Sequence, residues 1–243
     1  MRQWNAEWKC DWLVAERPVL KSIQVVDYQE VIAGAGRWLS ESTAAVLNAD
    51  ASLRDQLNYG MDYWVNRLEH RFYVNRLGHH GLAVADINGD GREDLYVCQA
   101  GGLPNRLYLH QADGTAVEAA KDAGVAFLDD TTAGLFVDLD NDDDQDLCVL
   151  TVSGGFVFAN DGAGNFTQRG AMPGCRNAFS LTAADYDSDG LLDLYIGRYW
   201  PDASERGTLP LPVPYYDATN GGRNILLRNR GGLDFEDVTA TVG

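Results

Sequence analysis

Basic residues are scarce in this chain of 243 residues: 19 Lys and Arg stand against 36 Asp and Glu, a formal charge of −17. A surface of that sign repels phosphate, so nucleic acid is excluded as a partner. Long apolar runs are also missing, and none approaches the roughly 20 residues that span a bilayer. The opening Met1-Arg2-Gln3-Trp4 leads into Asn, Glu and Lys, which excludes an ordinary secretory signal within these residues. Cysteine is sparse: Cys10, Cys98, Cys148 and Cys175 form no CxxC or Cys/His ligand pattern, and Cys98 and Cys148 read as free thiols in strands. The cysteines do not decide the compartment. No Ser-His-Asp arrangement or His/Cys cluster at metal-ligand spacing occurs, so the expectation is not an enzyme. His79-His80, on opposite faces of an extended segment, read as structural, and His70 and His110 show no partner in the sequence.

What is present begins with 45% apolar and 10% aromatic residues, enough to bury a substantial core. The acid is not spread evenly. Three loops hold 14 of the 36 acidic residues. The first runs Asp86-Ile-Asn88-Gly-Asp90-Gly-Arg92-Glu-Asp94, the second Asp138-Leu-Asp140-Asn-Asp142-Asp-Asp144-Gln-Asp146, and the third Asp185-Tyr-Asp187-Ser-Asp189-Gly-Leu191-Leu-Asp193. Each lies between apolar, β-branched segments, and the first Asp recurs after 52 and then 47 residues. That period fits a four-stranded propeller blade better than a helical repeat. Further short strands follow each loop at Arg106–Leu109, Phe156–Phe158 and Asn224–Leu227, then Gly-rich turns and closing strands. The fold expected is mainly β: propeller blades at about 78–127, 128–175 and 176–243, preceded by a helical, partly β segment over 1–77 that contains a degenerate blade.

In each loop, positions 1, 3, 5 and 9 carry carboxylates or Asn, and the carbonyl of position 7 (Arg92, Asp144 or Leu191) adds an oxygen. A cage of oxygens alone suits a hard cation, and Ca²⁺ tolerates looser geometry than Mg²⁺. Like charges packed this densely repel one another, so about three bound divalent ions account for the acidic excess. Gly91 and Gly190 at position 6 allow the sharp bend, and Asp143 must take the same conformation in the second loop. A helix-flanked calcium loop needs Glu at position 12, where this chain has Val97, Val149 and Ile196, all in strands.

The strand–Asp-x-[Asp/Asn]-x-Asp-Gly-x-x-Asp-Leu–strand pattern resembles the FG-GAP/VCBS repeat of integrin α-chain propellers. The trailing Asn224-Ile-Leu-Leu-Arg-Asn229 and Phe235-Glu-Asp-Val-Thr239 are similar to proteins of the cartilage-acidic-protein (ASPIC/UnbV) type. The resemblance implies a seven-bladed propeller, usually secreted, with calcium pinning loops on one face. With three clear blades, the chain is expected to be part of a longer protein or to close by self-association.

Two other segments stand out. Trp4, Trp8 and Trp12 recur every four residues, as on one face of a helix ended by Pro18, and a second helix is expected over 52–70 with Ser52 as N-cap and Asp55 at the capping-box position. An insertion over 198–222, stiffened by prolines, displays Tyr199, Trp200, Tyr215, Tyr216 and Asp217 as candidate ligand-binding residues. The function expected is calcium-stabilised recognition of, or adhesion to, a protein or glycan, outside the cell or in the periplasm. The alternative is a propeller-fold polysaccharide lyase or hydrolase working through the 198–222 loop.

Overall fold

A computed structural model of the chain describes residues 2–14, 18–32, 40–47, 50–68, 80–198 and 222–242. The chain divides into two compact units, Met1–Ser42 and Thr43–Gly243.

The first unit is a two-stranded antiparallel ribbon, β1 (Arg2–Leu13) paired with β2 (Val19–Ile32). The helix expected from the tryptophan spacing is therefore corrected to a strand. A step of four residues is even, so it keeps side chains on one face of a strand as well as of a helix. Trp favours strands, and β2 offers apolar partners, with Trp8 opposite Val25, Cys10 opposite Ile23 and Trp12 opposite Leu20. Ser22–Val26 lies within β2, and the described sheet has only two strands.

In the second unit, helix α1 (Thr43–Leu47), a π-helical turn (Leu53–Leu57) and helix α2 (Met61–Trp64) precede three sheets. Ser52 does not cap this segment. Its amide donates to Asp50 Oδ1 at 2.6 Å, so Asp50 is the capping residue, and the Ser52 hydroxyl meets the Tyr108 hydroxyl instead. The reason is burial: Leu47 and Leu53 pack on Tyr108 and Ala116 of the first sheet, drawing Ser52 inward. The α1 sequence echoes the end of the chain, and both echoes, Thr43–Leu47 and Thr239–Val242 (α3), are helical.

Each sheet is a four-stranded antiparallel meander. The first holds β3 (Leu82–Ala85), β4 (Asp94–Val97), β5 (Arg106–His110) and β6 (Ala116–Glu118). The second holds β7 (Thr131–Val137), β8 (Asp146–Thr151), β9 (Gly155–Asn160) and β10 (Phe166–Met172). The third holds β11 (Ala178–Ala184), β12 (Asp193–Arg198), β13 (Ile225–Asn229) and β14 (Phe235–Asp237). The fold is thus mainly β, with no closed barrel among the described residues. First strands of successive sheets touch, β3 on β7 and β7 on β11. One core, including Ile87, Tyr96, Leu107, Phe136, Leu147 and Phe158, fills the space between sheets one and two; another, including Leu139, Cys148, Leu150, Leu194, Ile196 and Leu227, fills that between two and three. Gly81 permits the close approach of the first strands, since a Cβ there would lie 3.1 Å from Ala133 Cα.

Candidate metal centre

Each acidic loop joins the first strand of a sheet to the second, so the three repeat one construction. The position-1 carboxylate gathers loop amides: Asp86 accepts from Asp90 N (3.1 Å) and Gly91 N (2.7 Å). Asp138 accepts from Asn141 N (2.8 Å) and Asp143 N (3.1 Å), and Asp185 from Asp189 N (3.1 Å) and Gly190 N (3.0 Å). The position-5 carboxylate takes the position-7 amide, Asp90 from Arg92 N, Asp142 from Asp144 N and Asp189 from Leu191 N, each at 3.0 Å.

Such curling needs left-handed backbone. Position 6 supplies it at Gly91 (φ 80°), Asp143 (72°) and Gly190 (90°), and position 4 at Gly89 (69°), Asn141 (61°) and Ser188 (61°). Asp143 thus adopts the strained conformation anticipated for it, whereas the demand at position 4 was not read from the sequence. Asp143→Gly should therefore stabilise the protein by about 1 kcal/mol, a rise of roughly 2–4 °C in melting temperature by scanning calorimetry.

Position 9 does something the ligand pattern alone did not suggest. Asp94, Asp146 and Asp193 are buried, and each ties the loop to the third strand. One oxygen accepts the position-2 amide (Ile87, Leu139 or Tyr186, 3.1–3.3 Å), and the other accepts the amide of His110, Asn160 or Asn229 (2.8–3.1 Å). Asn160 and Asn229 then reach across to the preceding sheet. Asn160 Nδ2 donates to the Ile87 carbonyl (2.8 Å) and Asn229 Nδ2 to the Leu139 carbonyl (2.7 Å). These ties were missed in the sequence, where the available signal was the recurring Asn-x-Gly at 160–162 and 229–231.

Two acidic triads could hold a metal ion. Carboxylate oxygens of Asp138, Asp140 and Asp146 lie within 4.8 Å of one another, and so do those of Asp185, Asp187 and Asp193. Neither triad includes the position-5 residue, Asp142 or Asp189. In the first loop Asn88 stands at position 3, and its side-chain oxygen accepts from Asp90 N at 3.1 Å.

The loops differ in their counter-charges. Arg92 pairs with Asp90 and donates to the His110 carbonyl (3.0 Å). Arg228 sits 2.9 Å from Asp187 and 3.1 Å from Asp189. Its guanidinium lines an open cavity of about 330 Å³ with Asp189 and Leu191. Around the second loop, six aspartates face no ion-paired cation among the described residues. Desolvation pushes Asp140 and Asp144 above the ordinary carboxylate range, with repulsion from Asp142 adding to it. Desolvation likewise lifts Asp146 to about 6, although amides of Asn160 and Leu139 oppose the rise. Asp140 Oδ1 is buried without a hydrogen-bond partner among the described residues. An all-oxygen set with an unanswered charge fits a hard divalent cation.

A family model of FG-GAP-like repeats matches residues 86–149 and 138–196. The chain carries FG-GAP-like repeats. Each match runs from the first aspartate of one loop to position 12 of the next. The matches end at Ile196, short of the Asn224–Thr239 stretch. No curated protein matches the chain.

Of the other candidates, Tyr199, Trp200, Tyr215, Tyr216 and Asp217 lie outside the described residues, as do His70 and His79. His80 has a structural position: its Nδ1 donates to the Thr131 carbonyl at 2.9 Å, 3.6 Å from Asp130. Among the cysteines Cys10 is exposed, while Cys98, Cys148 and Cys175 are free and buried, and burial raises the Cys98 and Cys175 thiols to about 12. No helix among the described residues is long and apolar enough to cross a membrane.

Proposed function

We propose that the FG-GAP repeats form propeller blades of a calcium-stabilised recognition module, working outside the cell or in the periplasm on a protein or glycan partner. The convergence of three carboxylates in the second and third loops carries the reading, because it occurs where loops also tie neighbouring sheets together. Calcium in each loop, ligated through positions 1, 3, 5 and 9 and the position-7 carbonyl, replaces repulsion with coordination and stiffens the sheet boundary. Loops of this charge bind on the order of 10⁻⁴ M, an affinity met where calcium is abundant.

The counter-charges rank the loops. The second should fill first, because no arginine competes there; the third requires Arg228 to yield, and the first has the fewest carboxylates converging on one point. Calorimetric titration of the chelator-stripped chain with calcium tests this. The expected result is about three ions, the tightest lost in Asp140→Asn, together with a raised melting temperature. Absence of binding, with an unchanged melt, would reduce the loops to acidic turns and remove the support for the module.

A further inference from the structure

Away from the acidic loops, a half-open cavity of about 240 Å³ lies between the second sheet and the segment that links it to the first. Phe127 enters it from the segment that links the two sheets; Phe156 and Phe158 come from β9, and Gln168 from β10. The Phe127 and Phe158 rings pack 5.0 Å apart at 36°, and the Phe127 carbonyl is fixed by the Asn105 amide at 3.0 Å. The aromatic wall is therefore built into the sheet boundary rather than carried on a free loop. Leu128, Thr151 and one carboxylate, Asp129, complete the lining.

The lining contains no Lys, Arg or His, and Asp129 has no ion pair among the described residues. A neutral apolar occupant would fill the cavity at the cost of desolvating that carboxylate. A cation compensates it and also gains from the negative faces of the phenylalanine rings. A chain charge of −17 favours the same sign. The shape of the charge matters as well. Asp129 Oδ1 already accepts the Asp130 amide at 2.9 Å, leaving one oxygen fully available. A planar guanidinium would have to share Oδ1 with that amide to make its paired hydrogen bonds, whereas an ammonium needs only the other oxygen. A quaternary ammonium has no N–H to give either Asp129 or the Gln168 carbonyl. The volume exceeds the roughly 150 Å³ that admits a benzene ring, which leaves room for a four-carbon stem with a charged head.

We propose that this cavity takes the primary alkylammonium of a lysine side chain presented by a partner protein, with the stem against Phe127 and Phe156 and the nitrogen at Asp129. The inference rests on the recognition reading above and chooses protein over glycan. The test titrates the calcium-loaded full chain with n-butylammonium, followed by backbone amide NMR. Saturable shifts are expected at Leu128, Asp129, Thr151 and Gln168, with 1-butanol and n-butylguanidinium weaker by roughly tenfold. Asp129→Asn keeps the acceptor for the Asp130 amide and removes the charge, so it should erase the preference for butylammonium over butanol. Phe156→Leu should weaken butylammonium without altering the calcium titration. No saturable shift, or equal binding of butanol and butylammonium, would overturn the proposal. A failed calcium titration beside a successful butylammonium one would strike the recognition module and leave the pocket standing.

Discussion

Replacing Asn229 with alanine should lower the stability of the chain by roughly 3–4 kcal/mol, the largest effect expected of any substitution outside the hydrophobic core. Asn229 is fully buried, and its side chain makes three hydrogen bonds. Nδ2 donates to the carbonyls of Leu139 (2.7 Å) and Leu192 (3.1 Å), and Oδ1 accepts the Gly231 amide at 2.9 Å. Alanine leaves the buried Leu139 carbonyl without a partner, at about 1–3 kcal/mol, and also removes two part-buried bonds, to the Leu192 carbonyl and from the Gly231 amide, at about 1 kcal/mol each. Leu139 lies in the acidic loop of one sheet and Asn229 at the end of a strand in the next, so the loss also loosens the boundary between them. Thermal melting should show a fall of roughly 6–16 °C for a chain of this size. Asn160→Ala breaks the equivalent tie to Ile87 and should act similarly, while Asn165→Ala, exposed in a turn, should change little. If Asn229→Ala and Asn165→Ala melted together, the ties would have no energetic role. Asn229→Asp offers a sharper check: it keeps the acceptor but sets a carboxylate oxygen against two carbonyls, so it should be worse than alanine.

That asparagine marks the boundary of what the sequence makes legible. The acidic loops could be read because their demands are local: oxygens at fixed spacing, Gly or its tolerant substitutes at the bend, strands on either side. Asp143 illustrates this, since the repeat requires a left-handed residue there and the structure has one. Asn229 and Asn160 find their partners 90 and 73 positions away, and nothing in their neighbourhood announces those partners. Arg228 is similar, with Asp189 39 positions distant. The ribbon failed for another reason: its tryptophan spacing satisfies helix and strand alike, and the deciding fact is the β-branched partner strand, β2. The helix start shifted from Ser52 to Asp50 because packing on Tyr108 outweighed a local capping preference.

The same burial that hides Asp146 determines how the metal-free chain should respond to pH. In the folded chain the Asp146 carboxyl titrates at about 6, against 3.8 when exposed, because desolvation disfavours its charge and Asp140 and Asp142 repel it. A carboxyl whose folded value is raised holds its proton more tightly when folded, so stability falls as pH rises from about 4 to about 6, and the loss is complete above that. Asp140 and Asp144 shift in the same direction and reinforce it. Asp113 and Asp161, held low by side-chain hydrogen bonds from Thr115 and Asn165, act only below their ordinary range and leave this window untouched. The Asp146 shift limits the effect to about 3 kcal/mol; screening by water around the loop halves it, giving roughly 3–6 °C. The chelator-stripped protein should therefore melt higher at pH 5 than at pH 7. Calcium must displace the proton from the same carboxylates, so its binding strengthens with pH and the order reverses in the loaded protein. Asp140→Asn gives the second loop the Asn found at position 3 of the first, and should flatten the metal-free pH dependence while weakening the calcium response. Melting curves at both pH values, with chelator and with millimolar calcium, are sufficient: the same pH order in the two states would mean that the second loop does not hold the ion.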